Sequence, residues 1–264
     1  VGQIRNSGIE VQLDADIFNT NDFKWSAGVN FAANRSKVLE LAPGQDFIGT
    51  SLRYVVGEQL YTYWLYDYAG VNPQNGNALW RNEEGLLTEN SQEARRINAG
   101  SPEPLWTGGF NTELSWKGLS LGIQLEARYG NKVLNQDRSL FESDGYYGDQ
   151  NIWKGALNYW KQPGDMNVLP KPVYNNSSNS MQTSTRYLED GSYLRIKDIT
   201  LAYNLPSKWT KKALMSGVRI YASALNLYTF HNMNYWDPEH GTTGATVISY
   251  PMTRSMIVGV DITF

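Results

Sequence analysis

The 264-residue sequence has no cysteine, only two histidines, and no run of 18 or more apolar residues. The first absence removes disulfides, thiolate metal sites and cysteine nucleophiles together, and leaves the compartment open. The third excludes transmembrane helices, in keeping with a mean hydropathy of -0.47. It does not exclude a membrane barrel, whose strands need an apolar residue only at every second position. A basic surplus is also missing. The 23 Lys+Arg against 26 Asp+Glu give a net charge of -3, with no Lys/Arg-rich cluster, so nucleic acid is not a partner. There is no basic or apolar leader in the opening Val1-Gly2-Gln3, which reads as the mature or C-terminal part of something longer.

What the sequence has is apolar material (41%), aromatics (13%, with 17 Tyr and 9 Trp) and 24 Gly, a mixture that favours strands and turns. Period-two alternation is the main signal, and its length matters. Leu119, Leu121, Ile123, Leu125, Ala127 and Tyr129 interleave with Ser120, Gly122, Gln124, Glu126, Arg128 and Gly130. Phe23 to Ala33, Ile9 to Ile17, Trp106 to Trp116 and Met256 to Phe264 behave alike. Less regular strands are expected near 50–56, 60–69, 192–204 and 217–229, making nine in all. Leu194 and Ile196 share a parity that Ile199, Leu201 and Tyr203 do not, which predicts a bulge near Asp198.

Strands in soluble proteins commonly run to about 5–6 residues. Eleven residues at about 3.3 Å each and a tilt near 40° rise about 28 Å, close to the apolar band of an outer-membrane barrel. Aromatics collect at strand ends, with Trp25, Trp116 and Tyr203 at one set and Trp106, Tyr129, Tyr193 and Tyr228 at the other, as two girdles would. Connections alternate in length: 19–22 short, 35–49 longer, 57–59 short, 70–104 long, 117–118 very short, 131–191 very long, 205–216 intermediate with a brief helical turn, and 230–253 long. Short turns on the periplasmic side and long loops outside give this alternation. Nine spans are odd in number and too few for a wide pore, so the expected fold is all-β, an antiparallel transmembrane barrel of which this chain forms one side.

Several stretches resemble the C-terminal part of the SusC/RagA family, the TonB-dependent outer-membrane importers of Bacteroidetes. They are Asn6-Ser7-Gly8-Ile9-Glu10, Asp22-Phe23-Lys24-Trp25, Thr107-Gly108-Gly109-Phe110-Asn111, Trp116-Lys117-Gly118-Leu119 and Tyr129-Gly130-Asn131-Lys132. The long block from Ser184 to Lys197, then Ala224 to Thr229, Asp237-Pro238-Glu239 and the terminal aromatic follow in family order. The resemblance covers nearly the whole chain. It implies a plugged barrel of about 22 strands, with residues 1–264 as the C-terminal wall and the plug and N-terminal extension upstream. It also implies import of oligosaccharides or peptides driven through TonB at that plug, a SusD-like surface lipoprotein closing over the long loops, and residence among the lipids of the outer membrane. Many relatives carry D-x-N-G-D-G before a G-N-P-x-P stretch. Here Asn82-Glu83-Glu84-Gly85 precedes Ala99 to Pro104, so a bound calcium is not carried over to this loop.

No G-x-S-x-G elbow and no phosphate-cradling glycine motif occurs, and no enzyme or cofactor is expected. His231 and His240 lie near Asp237 and Glu239, but their spacing fits no helix or strand face and Asp237-Pro238-Glu239 reads as a loop-shaping turn, so no metal site is assigned. Asn176-Ser177-Ser178 matches a glycosylation sequon and reads as a polar loop. The lumen-facing set Glu10, Asp14, Asp16, Glu113, Gln124, Glu126, Arg128, Arg195 and Lys197 would hydrate a passage or bond within the wall and to the plug. Trp80, Tyr146, Tyr147, Trp153, Tyr159, Trp160 and Trp236 fall in the long connections, where flat rings stack on sugars, clamp a peptide, contact a lipoprotein, or pack the loops together. Val260, Ile262 and Phe264 supply the aromatic-ended last strand that outer-membrane assembly recognises. The competing readings are a soluble all-β carbohydrate-binding module, with the same aromatics as its platform, and an adhesin or autotransporter barrel without a plug.

Overall fold

The computed structural model describes residues 2–43, 51–174, 180–239 and 251–264. Seven long strands form one antiparallel sheet in sequence order: β1 (Gln3–Asn19), β2 (Phe23–Glu40), β3 (Trp106–Trp116), β4 (Leu119–Tyr129), β5 (Tyr193–Asn204), β6 (Gly217–His231) and β7 (Ser255–Thr263). The side-chain period of two, carried across the register, sorts residues into rows. Leu13, Val29, Phe110, Leu125, Ile196 and Tyr228 stand side by side on one face. Directly behind them run Asp14, Gly28, Asn111, Gln124 and Asp198. One face is therefore apolar and the other polar along the whole sheet.

The apolar face lies open: Ile9, Leu13 and Val258 are 67%, 64% and 79% exposed. In a soluble sandwich these rows would be covered by a second sheet, because an uncovered apolar surface of this extent is unfavourable in water. Aromatic pairs sit at both ends of this face. Phe18 stacks with Trp25 at 6.0 Å at one end, and Trp106 stacks with Tyr129 at 5.6 Å at the other. Tyr193 does not join them. It pairs with Arg128 and His231 on the polar face, where its hydroxyl donates to Glu126, because its parity is that of Arg195.

Among the described residues the sheet has seven strands where the sequence suggests nine. Of the described residues, 51–56 and 60–69 contribute only the short pieces Leu52–Arg53, Thr62–Tyr66 and part of Tyr68–Val71, which pair within small three-stranded sheets of the connection from 41 to 105. Their apolar side chains fill the interior of the long connections, partly against the 130–192 connection. Tyr63 and Leu65 form a buried cluster with Leu134 and Tyr187, and Trp80 packs with Ala78 and Ala94. The connections of the wall then read 20–22, 41–105, 117–118, 130–192, 205–216 and 232–254, so every second one is long. The intermediate one carries the expected helical turn, Ser207–Thr210 followed by Lys211–Ala213. Among the described residues no helix is long and apolar enough to cross a membrane.

Local chemistry sets the short turns. Lys117 and Gly118 both have positive φ (48° and 90°), as a two-residue hairpin of the right twist demands, and a Cβ on Gly118 would lie 2.8 Å from the Asn204 carbonyl oxygen. The bulge appears next to its expected position. Lys197 is passed over in the pairing of β5 with both neighbours, and β6 answers with Asn226 in the left-handed region at φ 50°. His240 and the sequon at Asn176-Ser177-Ser178 lie outside the described residues.

Candidate functional site

The polar face is most elaborate where β4, β5 and β6 approach the long connections. Register places Glu126, Arg195 and Thr229 side by side, and the bulge swings Lys197 into the same cluster. Arg195 is completely buried. Its Nε donates to Thr229 Oγ1 at 2.9 Å, its Nη2 to both carboxylate oxygens of Asp237 at 2.5 and 2.7 Å, and its Nη1 pairs with Glu239. Lys197 Nζ then bridges Glu239 (3.5 Å) and Glu126 (3.0 Å), and the Tyr193 hydroxyl donates to Glu126 at 2.7 Å. The Glu239 amide donates to Asp237 at 2.8 Å, which folds the Asp-Pro-Glu turn so that both carboxylates face one guanidinium. A planar fork of five donors suits such paired acceptors better than an ammonium would.

Three of the nine wall residues singled out from the sequence, Glu126, Lys197 and Arg195, therefore meet in one chain of ion pairs. Arg128 lies alongside, its guanidinium 5.9 Å from the Tyr193 ring. Asp237 and Glu239 are the members that sequence reasoning took for a turn alone. Their turn signal was visible, whereas a partner 42 positions away was not. Glu10, Asp14, Asp16 and Glu113 stand on the polar face of β1 and β3, away from this cluster.

A second buried network holds the long connections together. Arg186 and Asp144, both almost fully enclosed, meet at 2.5 and 2.9 Å, and Ser180 donates to the same carboxylate at 2.7 Å. Arg138 binds Glu142 at 2.9 Å and Glu189 at 2.8 Å, and Glu189 also accepts the Asn234 amide at 2.6 Å. Stretches 135–144, 180–190 and 234 are thereby tied to one another. Tyr68 lies beside Arg186, and burial pushes its phenol up to about 12, so it stays neutral.

The loop aromatics divide in two. Trp80 is fully buried between Tyr66 and Tyr68, and Trp160 donates its indole N–H to the Pro73 carbonyl at 3.0 Å, so both are structural parts of the loops. Gly76 is required against Trp160, since a Cβ there would lie 2.7 Å from the indole. Trp153 instead gathers Phe141 (4.7 Å), Tyr235 (4.0 Å) and Trp236 (6.3 Å) into one aromatic patch, with Tyr235 about half exposed. Tyr146 and Tyr147 meet edge to face at 4.9 Å, and Tyr159 lies under Lys161. Phe141 and Tyr235 were not singled out from the sequence, because nothing in a lone loop aromatic shows which rings it will join. Among the described residues no group of three or more His, Asp or Glu is placed to hold a metal.

The proteins that the chain is similar to include TonB-dependent receptors and a peptide transporter. The chain superposes over its whole length on the RagAB peptide transporter with a TM-score of 0.85 and 29% identity, covering 30% of that chain. The chain is similar to a barrel segment of SusC/RagA-type transporters. Two TonB-dependent receptors of Formosa agariphila, P3 and P26, match it at 28% and 27% identity over its full length. The TonB-dependent receptor SusC of Bacteroides thetaiotaomicron matches at 21%. The chain spans less than a third of the length of these relatives. No protein-family model matches it.

Proposed function

We propose that this chain supplies wall and external loops to a TonB-dependent importer in the outer membrane of a Gram-negative bacterium. The observation that carries the reading is the two-faced sheet, apolar and uncovered on one side, polar and ion-paired on the other. On this reading the apolar rows meet acyl chains, the polar face with Glu126, Arg128, Arg195 and Lys197 lines the lumen, and Val260, Ile262 and Phe264 form the assembly signal of the last strand. Energy arrives from TonB through a plug, and a SusD-like lipoprotein sits over the long connections. The cargo is an oligosaccharide or peptide, moved without any covalent step. The patch of Trp153 and Trp236, with Tyr146, Tyr147 and Tyr159, is the contact for cargo or lipoprotein, whereas Trp80 and Trp160 pack inside the long connections.

The test places fluorophores at Ile123 and Val258 in the complete polypeptide, reconstituted in vesicles. Quenching by bromine or nitroxide on acyl chains is expected. Quenching by aqueous iodide alone, or by neither, rejects the barrel wall. Trp153→Ala should then lower cargo uptake or lipoprotein co-purification while the assembled protein remains at its normal level.

A further inference from the structure

The three short-side connections, 20–22, 117–118 and 205–216, carry four lysines and one aspartate, whereas the three long-side connections carry 17 acidic and 11 basic residues. The basic charge concentrates in one place. Lys208, Lys211 and Lys212 lie within the single helical turn Ser207–Thr210 and its continuation Lys211–Ala213, and all three are exposed. Among the described residues none of the ion pairs takes one of them, although Arg219 and Asp261 nearby neutralise each other at 3.2 Å. Two large apolar side chains accompany them, Trp209 at 59% and Leu214 at 89% exposure. Trp116 and Lys117 repeat the pairing at the neighbouring turn, the ammonium lying 5.6 Å from the ring.

Exposed Trp and Leu beside unpaired lysines at the rim of an apolar band match the chemistry of a leaflet boundary, where the rings enter the headgroup layer and the ammonium groups meet phosphate. We infer that the 205–216 connection is a docking surface for anionic phospholipid in the periplasmic leaflet. Charge complementarity selects the lipid, and Trp209 and Leu214 fix its depth. The inference rests on the barrel reading above. It adds a partner that the wall strands alone do not specify, since their apolar rows accept any acyl chain.

The experiment reconstitutes the complete polypeptide in phosphatidylcholine bilayers containing spin-labelled phosphatidylglycerol or spin-labelled phosphatidylcholine, and measures the motionally restricted fraction of each. A preference for phosphatidylglycerol of at least about threefold is expected, falling towards parity in the K208Q/K211Q/K212Q variant and in 1 M salt, where screening shortens to about 3 Å. Equal restriction of the two lipids, or an undiminished preference in the variant, overturns the proposal and leaves the surface to solvent or a protein contact. Absence of any restricted lipid would instead reject the barrel wall itself.

Discussion

Arg195 grips both carboxylate oxygens of Asp237 across 42 residues of sequence, from a position on the wall that solvent does not reach. A buried guanidinium of this kind is expensive to desolvate and is held by its acceptors, so the pair acts as a catch between the wall and the 232–239 stretch. Removing the guanidinium leaves two carboxylates facing each other without that counter-charge, Asp237 mostly enclosed and Glu239 about one-third exposed. Arg195→Met should cost about 3–5 kcal/mol and free the Asp-Pro-Glu turn. Limited proteolysis with mass spectrometry checks this, with new cleavage expected between 232 and 239. The triple variant R195M/D237N/E239Q should lose less than the sum of its parts.

Lys197 is a weaker link. Its partners Glu126 and Glu239 are about one-third exposed, so solvent screens both pairs. Lys197→Met is expected to change stability by about 1 kcal/mol or less, and the difference should vanish in high salt. A thermal midpoint series from low to high salt reads it directly.

Glu89 accepts hydrogen bonds from Asn77 (2.6 Å), Asn75 (2.8 Å) and Asn72 (2.6 Å), and those from Asn77 and Asn75 chiefly hold its carboxyl below the ordinary 4.5. A folded value below the unfolded one means that the carboxylate stabilises the turn above 4.5 and that this contribution is lost as pH falls through the lowered value. Amide exchange at Gly76 and Asn77, corrected for its intrinsic pH dependence, should show protection dropping as acidification passes below 4.5. In Glu89→Gln that step should be absent.

The faces of the wall should differ in tolerance. Leu13→Arg or Val258→Arg puts a charge on the apolar face, at a cost of about 2–4 kcal/mol near the bilayer midplane. Gln124→Arg, on the polar face beside Asp198, should be far milder. The yield of heat-modifiable folded barrel on a gel separates the two, and equal losses would contradict the two-faced wall.

Gly76→Ala tests the loop interior. The position has φ 80°, and the added methyl would meet the Trp160 ring. A loss of about 1–3 kcal/mol in loop stability is expected, visible as faster proteolysis in 70–80 and 158–171 with the wall strands unaffected.

Much of the wall was legible in the sequence because its alternation is local. Leu119 to Tyr129 is apolar at each odd position, and no distant residue is needed to read it. The bulge near Asp198 was legible as a phase change, and the 117–118 turn from its glycine. The stretches at 50–56 and 60–69 misled because Tyr63 and Leu65 have the composition of a lipid-facing row while their burial comes from Leu134 and Tyr187, more than 60 positions away. Tyr193 misled for a different reason. Its place at a strand end suggests a girdle, and only its parity with Arg195 assigns it to the opposite face. The charge cluster itself was half visible, since alternation brings out Glu126, Arg195 and Lys197, whereas the approach of Asp237 and Glu239 depends on how the preceding connection folds.

The clusters around Tyr63 and Trp80, with the Arg186–Asp144 pair, form an interior that excludes water in the way a soluble globule does. On the barrel reading the wall owes its order to a different medium. One polypeptide thus obeys two solvents, and the same Leu→Ala exchange is governed by cavity formation at Leu65 but by lipid packing at Leu13. Urea should dissolve the external clusters first and leave the strands paired, and a harsh detergent should reverse that sequence of events.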